Sequence, residues 1–266
     1  MDYKEINRRS WNNRLQAHMA SEFYDVAGFL SGKTSLKDIE LPLLKNNLSG
    51  KKVLHLQCHF GLDTLSLARL GAEVTGIDLS DKAIAAARDL AIKSDLSARF
   101  IQSDVYALEE VLDERFDVIF TSYGALPWLN DLNKWAGLIR NFLRPSGVFI
   151  MAEFHPVLWM FDDDFQQLNY SYFNKGPIQE SETGTYADPE AAITQEYVCW
   201  NHGLGEVFDS LLKNDLQIDG FHEYDYSPYN CFKGLRETAA GKYQIKGYEG
   251  ILPMVYTLKA SRTKNL

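Results

Sequence analysis

At 266 residues the chain can bury one sizeable core, and 45% hydrophobic with 24% charged residues is ordinary for a globular protein. A formal net charge of -9 disfavours a nucleic-acid partner, because binding a polyanion needs a positive face. Three scattered cysteines, Cys58, Cys199 and Cys231, suggest neither a disulfide framework nor a zinc site, and no metal is expected.

The chain opens on Met1-Asp2-Tyr3-Lys4-Glu5, which lacks the basic and apolar segments of a signal peptide, and no apolar run approaches the ~20 residues of a membrane span. A cytoplasmic protein with no membrane partner is therefore expected. Over 6–30, Trp11, Leu15, Met19 and Phe23 recur at steps of four, one face of an amphipathic helix. That stripe is either ordinary core or a lid in which Trp11, Phe23 and Tyr24 close over a site. Leu36, Ile39, Leu43, Leu44 and Leu48 predict a second helix over 36–48, ended by Ser49-Gly50.

The centre of the sequence is the stretch 53–80. Val53-Leu54-His55-Leu56 reads as a buried strand, Gln57-Cys58-His59-Phe60-Gly61 as a tight loop, and 62–70 as a helix with apolar residues at helical spacing. Gly71-Ala72 closes that helix, and a second strand, 73–77, ends on Asp78. In such a βαβ unit the loop aims amide groups at a ligand, and a carboxylate about 20 residues on can accept from both hydroxyls of a ribose. A dinucleotide loop needs several glycines to approach a pyrophosphate, and Gln57 and His59 stand where they would be. The pattern points to a nucleoside without phosphates.

Beyond Asp78, Ser80 caps a helix through about residue 92, 99–102 is a third strand, and Ser103-Asp104-Val105 follows it. Asp104 is either a helix cap or a ligand contact. The apolar run 116–120 is a central strand leading into a loop with Tyr123 and Trp128, 131–143 is a helix, 144–147 a turn, and 148–152 a fifth strand. It runs out into Glu153-Phe154-His155, where a carboxylate and an imidazole two residues apart point the same way. From 157 to 200 an aromatic-rich insertion with an acidic run at Asp162-Asp163-Asp164 reads as a cap, lining a pocket or forming its own small core. His202 precedes a helix through about 214, 216–224 is the sixth strand, and 225–249 a long aromatic loop. The last strand lies at 251–260, with Pro253 at its start or on an edge.

The stretch 53–78, with Asp104-Val105 and the Pro-x-Gly turn at 145–147, resembles the class I S-adenosylmethionine-dependent methyltransferases. His55 replaces that family's acid in the first strand, and of its loop glycines only Gly61 remains. The resemblance implies an α/β, Rossmann-like three-layer sandwich whose seven-stranded, mostly parallel sheet has an antiparallel last strand. The whole chain, 1–266, is read as one methyltransferase domain: N-terminal helices over 1–50, a cofactor-binding core over 51–156, the inserted cap over 157–200 and the rest of the sheet over 201–266.

S-adenosylmethionine is the cofactor so implied. Its expected contacts are Gln57, Cys58, His59 and Gly61 of the loop, Asp78 and Leu79 after strand two, Asp104 and Val105 at the adenine, and Tyr123. Trp11, Tyr24 and Trp128 are expected to form a lid or substrate contact, and Trp11, Tyr123 and Trp128 are the rings expected to suit a cationic sulfonium. Glu153, His155 and His202 are candidates for a general base. The acidic charge and aromatic cap favour a small-molecule methyl acceptor; protein or RNA methylation and non-catalytic cofactor binding are the alternatives.

Overall fold

The apolar run after Lys51 forms β1 (Lys52–Leu56), four of whose five residues are buried. A strand buried on both faces needs helices above and below it. The computed structural model describes residues 2–44 and 48–263, and β1 lies inside its main sheet, between β2 and β4. After it come α4 (Leu62–Arg69), β2 (Glu73–Asp78), α5 (Asp81–Lys93), β3 (Arg99–Gln102), α6 (Leu108–Val111), β4 (Phe116–Ser122), α7 (Leu132–Phe142) and β5 (Leu143–Phe154). Helices α1 (Tyr3–Ala20), α2 (Val26–Leu30) and α3 (Leu41–Leu44) precede β1. The hairpin of β6 (Ile178–Thr183) and β7 (Thr194–Cys199) leads to α8 (Leu204–Lys213), β8 (Leu216–Tyr224), a second hairpin of β9 (Leu235–Ala239) and β10 (Lys242–Ile245), and β11 (Val255–Arg262).

The sheet order is β3-β2-β1-β4-β5-β11-β8. Strands β3 to β5 pair in parallel, and β11, the last strand, is antiparallel to both β5 and β8. Alternate residues face opposite layers, as a period of two requires. Leu54, Leu56, Ile119, Phe149 and Met151 meet α7 and α8 through Trp135, Ile139, Val207 and Leu211. Val53, Val118, Phe120 and Ile150 meet α4 and the segment before β1 through Leu67, Leu36, Leu44 and Leu48. The expected three-layer sandwich and its seven-stranded sheet are present.

Local chemistry sets the element ends. The Ser80 hydroxyl accepts from the Ala83 amide at 2.9 Å and starts α5. Gly61 starts α4 at φ 82°, and a Cβ there would stand 2.7 Å from the Phe100 ring, so no larger residue fits.

Four expectations need correction. The N-terminal helix stops at Ala20, because the amide and hydroxyl of Ser21 turn back to the His18 carbonyl; Phe23 lies outside it. The helix expected over 36–48 shrinks to α3: the Glu40 carboxylate bonds back to the Lys37 amide and 38–40 form a turn, while 45–47 lie outside the described residues. The expected turn 144–147 is a bulged start of β5. The loop 225–249 carries the β9–β10 hairpin, and the last strand begins at Val255 and not at 251; Pro253 stands just before its start, one of the two places expected for it, while β11 itself is inside the sheet and not on its edge.

The buried face of α1 also differs from the expected one. Of the apolar stripe only Leu15 is fully buried; Asn7, Ser10, Arg14 and His18, at steps of three and four, are the residues turned inward. Asn7 bonds both the carbonyl and the amide of Val198, at 2.8 Å each, and so completes the open edge of β7 like a neighbouring strand. The helix lies against the cap hairpin and the carboxyl edge of the sheet, where a polar interior is required.

Candidate active site

Strand β1 delivers the loop 57–61 to the carboxyl edge of the sheet, where parallel α/β sheets place their ligands. Gln57 and His59 hold φ values of 53° and 51°, so the loop keeps a glycine-like path with two bulky residues. Each such position costs about 1–2 kcal/mol in an L-residue, strain of the kind that gathers at functional sites. Gln57 steadies the path by donating to the Ala125 carbonyl at 2.8 Å, while its Oε1 is buried without a partner.

Asp78 stands beside this loop at the tip of β2. It accepts from the amides of His59 and Ser80, both at 2.8 Å, and burial raises its pKa to about 6. Leu79 follows it on the same edge, its carbonyl bonded by Gln102. The Cys58 side chain turns away into the core, against Gly76 of β2, so only its backbone faces the site. Asp104 accepts from the Tyr106 amide at 3.0 Å, and the Lys4 ammonium of α1 pairs with it; Val105 beside it is buried.

Helix α1 crosses above these carboxylates. Besides Lys4 on Asp104, Arg8 pairs with Asp81 at 2.5 Å, and Asn12 bonds both Ser80 and Asp81. Trp11 then lies 5.1 Å, centroid to centroid, from both the His59 and Trp128 rings. Tyr24 packs on His59 and Phe60, and its hydroxyl meets that of Tyr186 from the cap. Trp11 and Tyr24 thus meet at the loop 57–61 from separate segments, and Trp128 packs on Trp11 and on Tyr197 of the cap hairpin. His18 Nδ1 lies 3.3 Å from His59 Nε2; burial holds both imidazoles neutral, His18 at a pKa of about 3.

At the other end of the loop is a polar hub. His55, in place of an acid, bonds Thr64 at 2.8 Å and Ser122 at 3.3 Å. A carboxylate stands beside it in Asp63, in the first turn of α4, which accepts from Ser35 at 2.6 Å and Ser122 at 3.1 Å. Tyr123 donates to Glu40 at 2.6 Å; burial, with the Asp63 charge nearby, raises the Glu40 pKa to about 8. Tyr229 packs edge-on to Tyr123 and stacks on Phe23, joining the hub to the lid.

The three candidate bases sit apart from this lid cluster. Glu153 is fully buried, and its two oxygens accept from the amides of Gly124, Ala125, Leu126 and Phe154. Those four donors fill the acceptor sites of a carboxylate, so Glu153 shapes the loop after β4 and has no site left for a substrate proton. His155 accepts from the Val157 amide at 3.2 Å and lies 3.0 Å from Glu223 of β8. His202 donates to the Leu129 carbonyl at 2.7 Å, with Glu206 on its other nitrogen at 3.1 Å. Glu153 and His202 share a small cleft behind the loop with Leu126, Trp159 and Tyr256.

The sequence reading missed Arg14, His18, Asp63 and Glu40. For Arg14 and His18 a signal existed, the polar period 7, 10, 14, 18; an apolar stripe on the neighbouring face hid it.

Comparison with known proteins agrees with this architecture. The family model described as a methyltransferase domain matches residues 53–147. An uncharacterized methyltransferase of Bacillus subtilis, YbaJ, is 30% identical over 185 residues, covering 66% of this chain and 69% of the relative. A ubiquinone biosynthesis O-methyltransferase of Pasteurella multocida is 31% identical over 155 residues, 53% of this chain; the match spans 62% of that relative, less than two thirds of its length. In fold, the chain is similar to an S-adenosylmethionine-dependent methyltransferase from Clostridium acetobutylicum, with a TM-score of 0.58 at 13% identity, covering 97% of this chain and 99% of that one. With the strand order and the loop after β1, these matches show that the chain belongs to the methyltransferase-domain family of class I S-adenosylmethionine-dependent methyltransferases.

Proposed function

We propose that this chain transfers a methyl group from S-adenosylmethionine to a small-molecule acceptor. The observation that carries the reading is the Asp78 carboxylate at the tip of β2, held by the His59 and Ser80 amides beside the strained loop and beneath α1. The residues present fit the cofactor. Asp78 suits the ribose hydroxyls, Asp104 and Val105 suit the adenine, and the orphaned Gln57 Oε1 with Asp63 gives the amino-acid end the acceptors that His55 does not provide.

When bound, the cofactor supplies a methyl group already activated on a sulfonium. The chain has then to orient the acceptor and exclude water. Trp11, Tyr24 and Trp128 do the second from three segments. Glu153 does the first indirectly, as a positioning residue that fixes the amides of 124–126 and with them Trp128.

The small-molecule reading rests on enclosure. The lid, cap hairpin and Tyr229 loop meet over the site with aromatic side chains, which suits a compact acceptor better than a polymer. The test is formation of S-adenosylhomocysteine with a panel of phenols, acids and amines, beside a peptide library and total RNA. Turnover with a compact acceptor alone supports the reading. Turnover confined to peptide or RNA, or tight cofactor binding with no turnover at all, contradicts it.

A further inference from the structure

Arg14 is 3% exposed, yet among the described residues only one of its five N–H groups has a side-chain partner, Glu182 of the cap hairpin at 2.8 Å. Its Nε is buried with none. The guanidinium is boxed by the rings of Trp11, Trp128 and Tyr197 at 5.1, 5.5 and 5.2 Å. One turn to either side on the same face of α1, Ser10 Oγ and His18 Nε2 are also buried without partners. Buried polar atoms are normally satisfied, and leaving one unpaired costs about 1–3 kcal/mol. Three in a row, beside the His59 loop and under the lid, mark a place built for something that accepts hydrogen bonds.

We propose that Arg14 anchors a carboxylate on the methyl acceptor, and that Glu182 holds the guanidinium until the acceptor displaces it. This rests on the small-molecule methyltransferase reading and names the acceptor class: a compact carboxylic acid whose apolar body lies among the lid rings. A guanidinium presents a planar fork of donors that fits a carboxylate with two parallel bonds, and it stacks on aromatic rings without losing them. One buried cation matches a single negative charge. Glu182 already shows that a carboxylate fits there, and its side chain, 36% exposed and held, apart from Arg14, only by a long 3.4 Å contact from Gln195 among the described residues, has solvent to move into. Ser10 flanks the guanidinium and offers a further hydroxyl donor to the same oxygens, and His18 Nε2 adds another in the tautomer whose Nδ1 accepts from His59.

The test uses hydroxybenzoates, aminobenzoates and indole carboxylates, each beside its primary amide, titrated into the protein saturated with S-adenosylhomocysteine. The wild-type protein is expected to bind at least one acid tenfold or more tighter than its amide. Arg14→Gln should erase that preference with the S-adenosylhomocysteine affinity unchanged, and Glu182→Gln, which removes the internal competitor, should tighten the acid several-fold. If Arg14 and Glu182 merely brace the cap, Glu182→Gln weakens or leaves unchanged the acid, which overturns the proposal. Absence of any acid preference in the wild-type protein, or its survival in Arg14→Gln, does so too. Failure of S-adenosylhomocysteine itself to bind overturns the cofactor reading instead, and the acid and amide pairs are then compared on the protein alone.

Discussion

Asp78 joins an elevated pKa to a task that needs a charge. Burial raises its pKa to about 6, and accepting from two ribose hydroxyls requires the carboxylate form. Cofactor affinity is therefore expected to fall as pH drops through about 6, approaching tenfold per unit, in calorimetric titrations between pH 5 and 8; a flat profile would show that Asp78 does not hold the ribose. Glu153 makes the opposite kind of claim. Replacing it with Ala leaves four amides, three of them buried, without an acceptor, and a loss of roughly 3–5 kcal/mol in urea unfolding is expected. A loss under 1 kcal/mol would mean that the loop 124–126 stands without it. Asp78 was legible in the sequence because an acid closes an apolar strand. Glu153 was legible as a strand-end acid, but its partners come from a loop some 30 residues upstream, and no local pattern reports them.

Among the elements, α1 decides access to the site. Lys4 occupies the carboxylate expected to meet adenine, so its ammonium acts as a latch that has to leave Asp104 when the cofactor enters. The Lys4 side chain is nearly half exposed, and such a pair adds little stability, about 0–1 kcal/mol. Lys4→Ala is expected to leave the melting temperature nearly unchanged while speeding cofactor association several-fold, read from the fluorescence of Trp11 and Trp128. An unchanged association rate would rule out the latch. Strands β1 to β5 could be read from the sequence because their apolar runs are bounded by turns. The inward face of α1 could not, since its Asn, Ser, Arg and His residues pack on polar partners brought by β7 and the loop after β1, which periodicity does not see. The β9–β10 hairpin was missed for a related reason: seven of its nine strand residues are exposed or only partly buried, so no buried stripe marks it.

For the whole molecule, buried titratable groups shape the dependence of stability on pH. Glu40, raised to about 8 by burial, keeps its proton in the folded state and loses it in the unfolded chain above the ordinary carboxylate range. Its contribution is full below about 4.5 and declines as pH rises to about 8, at up to about 1.4 kcal/mol per unit. His18, His55 and His59 act the other way: burial depresses each, so the unfolded chain takes up protons below about 6.5 that the folded chain refuses. Stability is expected to peak near pH 6.5, and Glu40→Gln should flatten the decline between pH 6.5 and 8 in unfolding measurements. A variant profile parallel to that of the wild type would contradict the Glu40 assignment. The sheet order itself was legible only through resemblance, because periodicity identifies strands and helices but not which strands are neighbours.

The most direct test is calorimetric titration of the full chain and of Asp78→Ala with S-adenosylmethionine and S-adenosylhomocysteine, with NAD as control. The account expects micromolar binding of both sulfur nucleosides by the wild-type protein, at least tenfold weaker binding by Asp78→Ala, and none of NAD. Equal affinity in the two proteins, or no binding of either nucleoside, would contradict it.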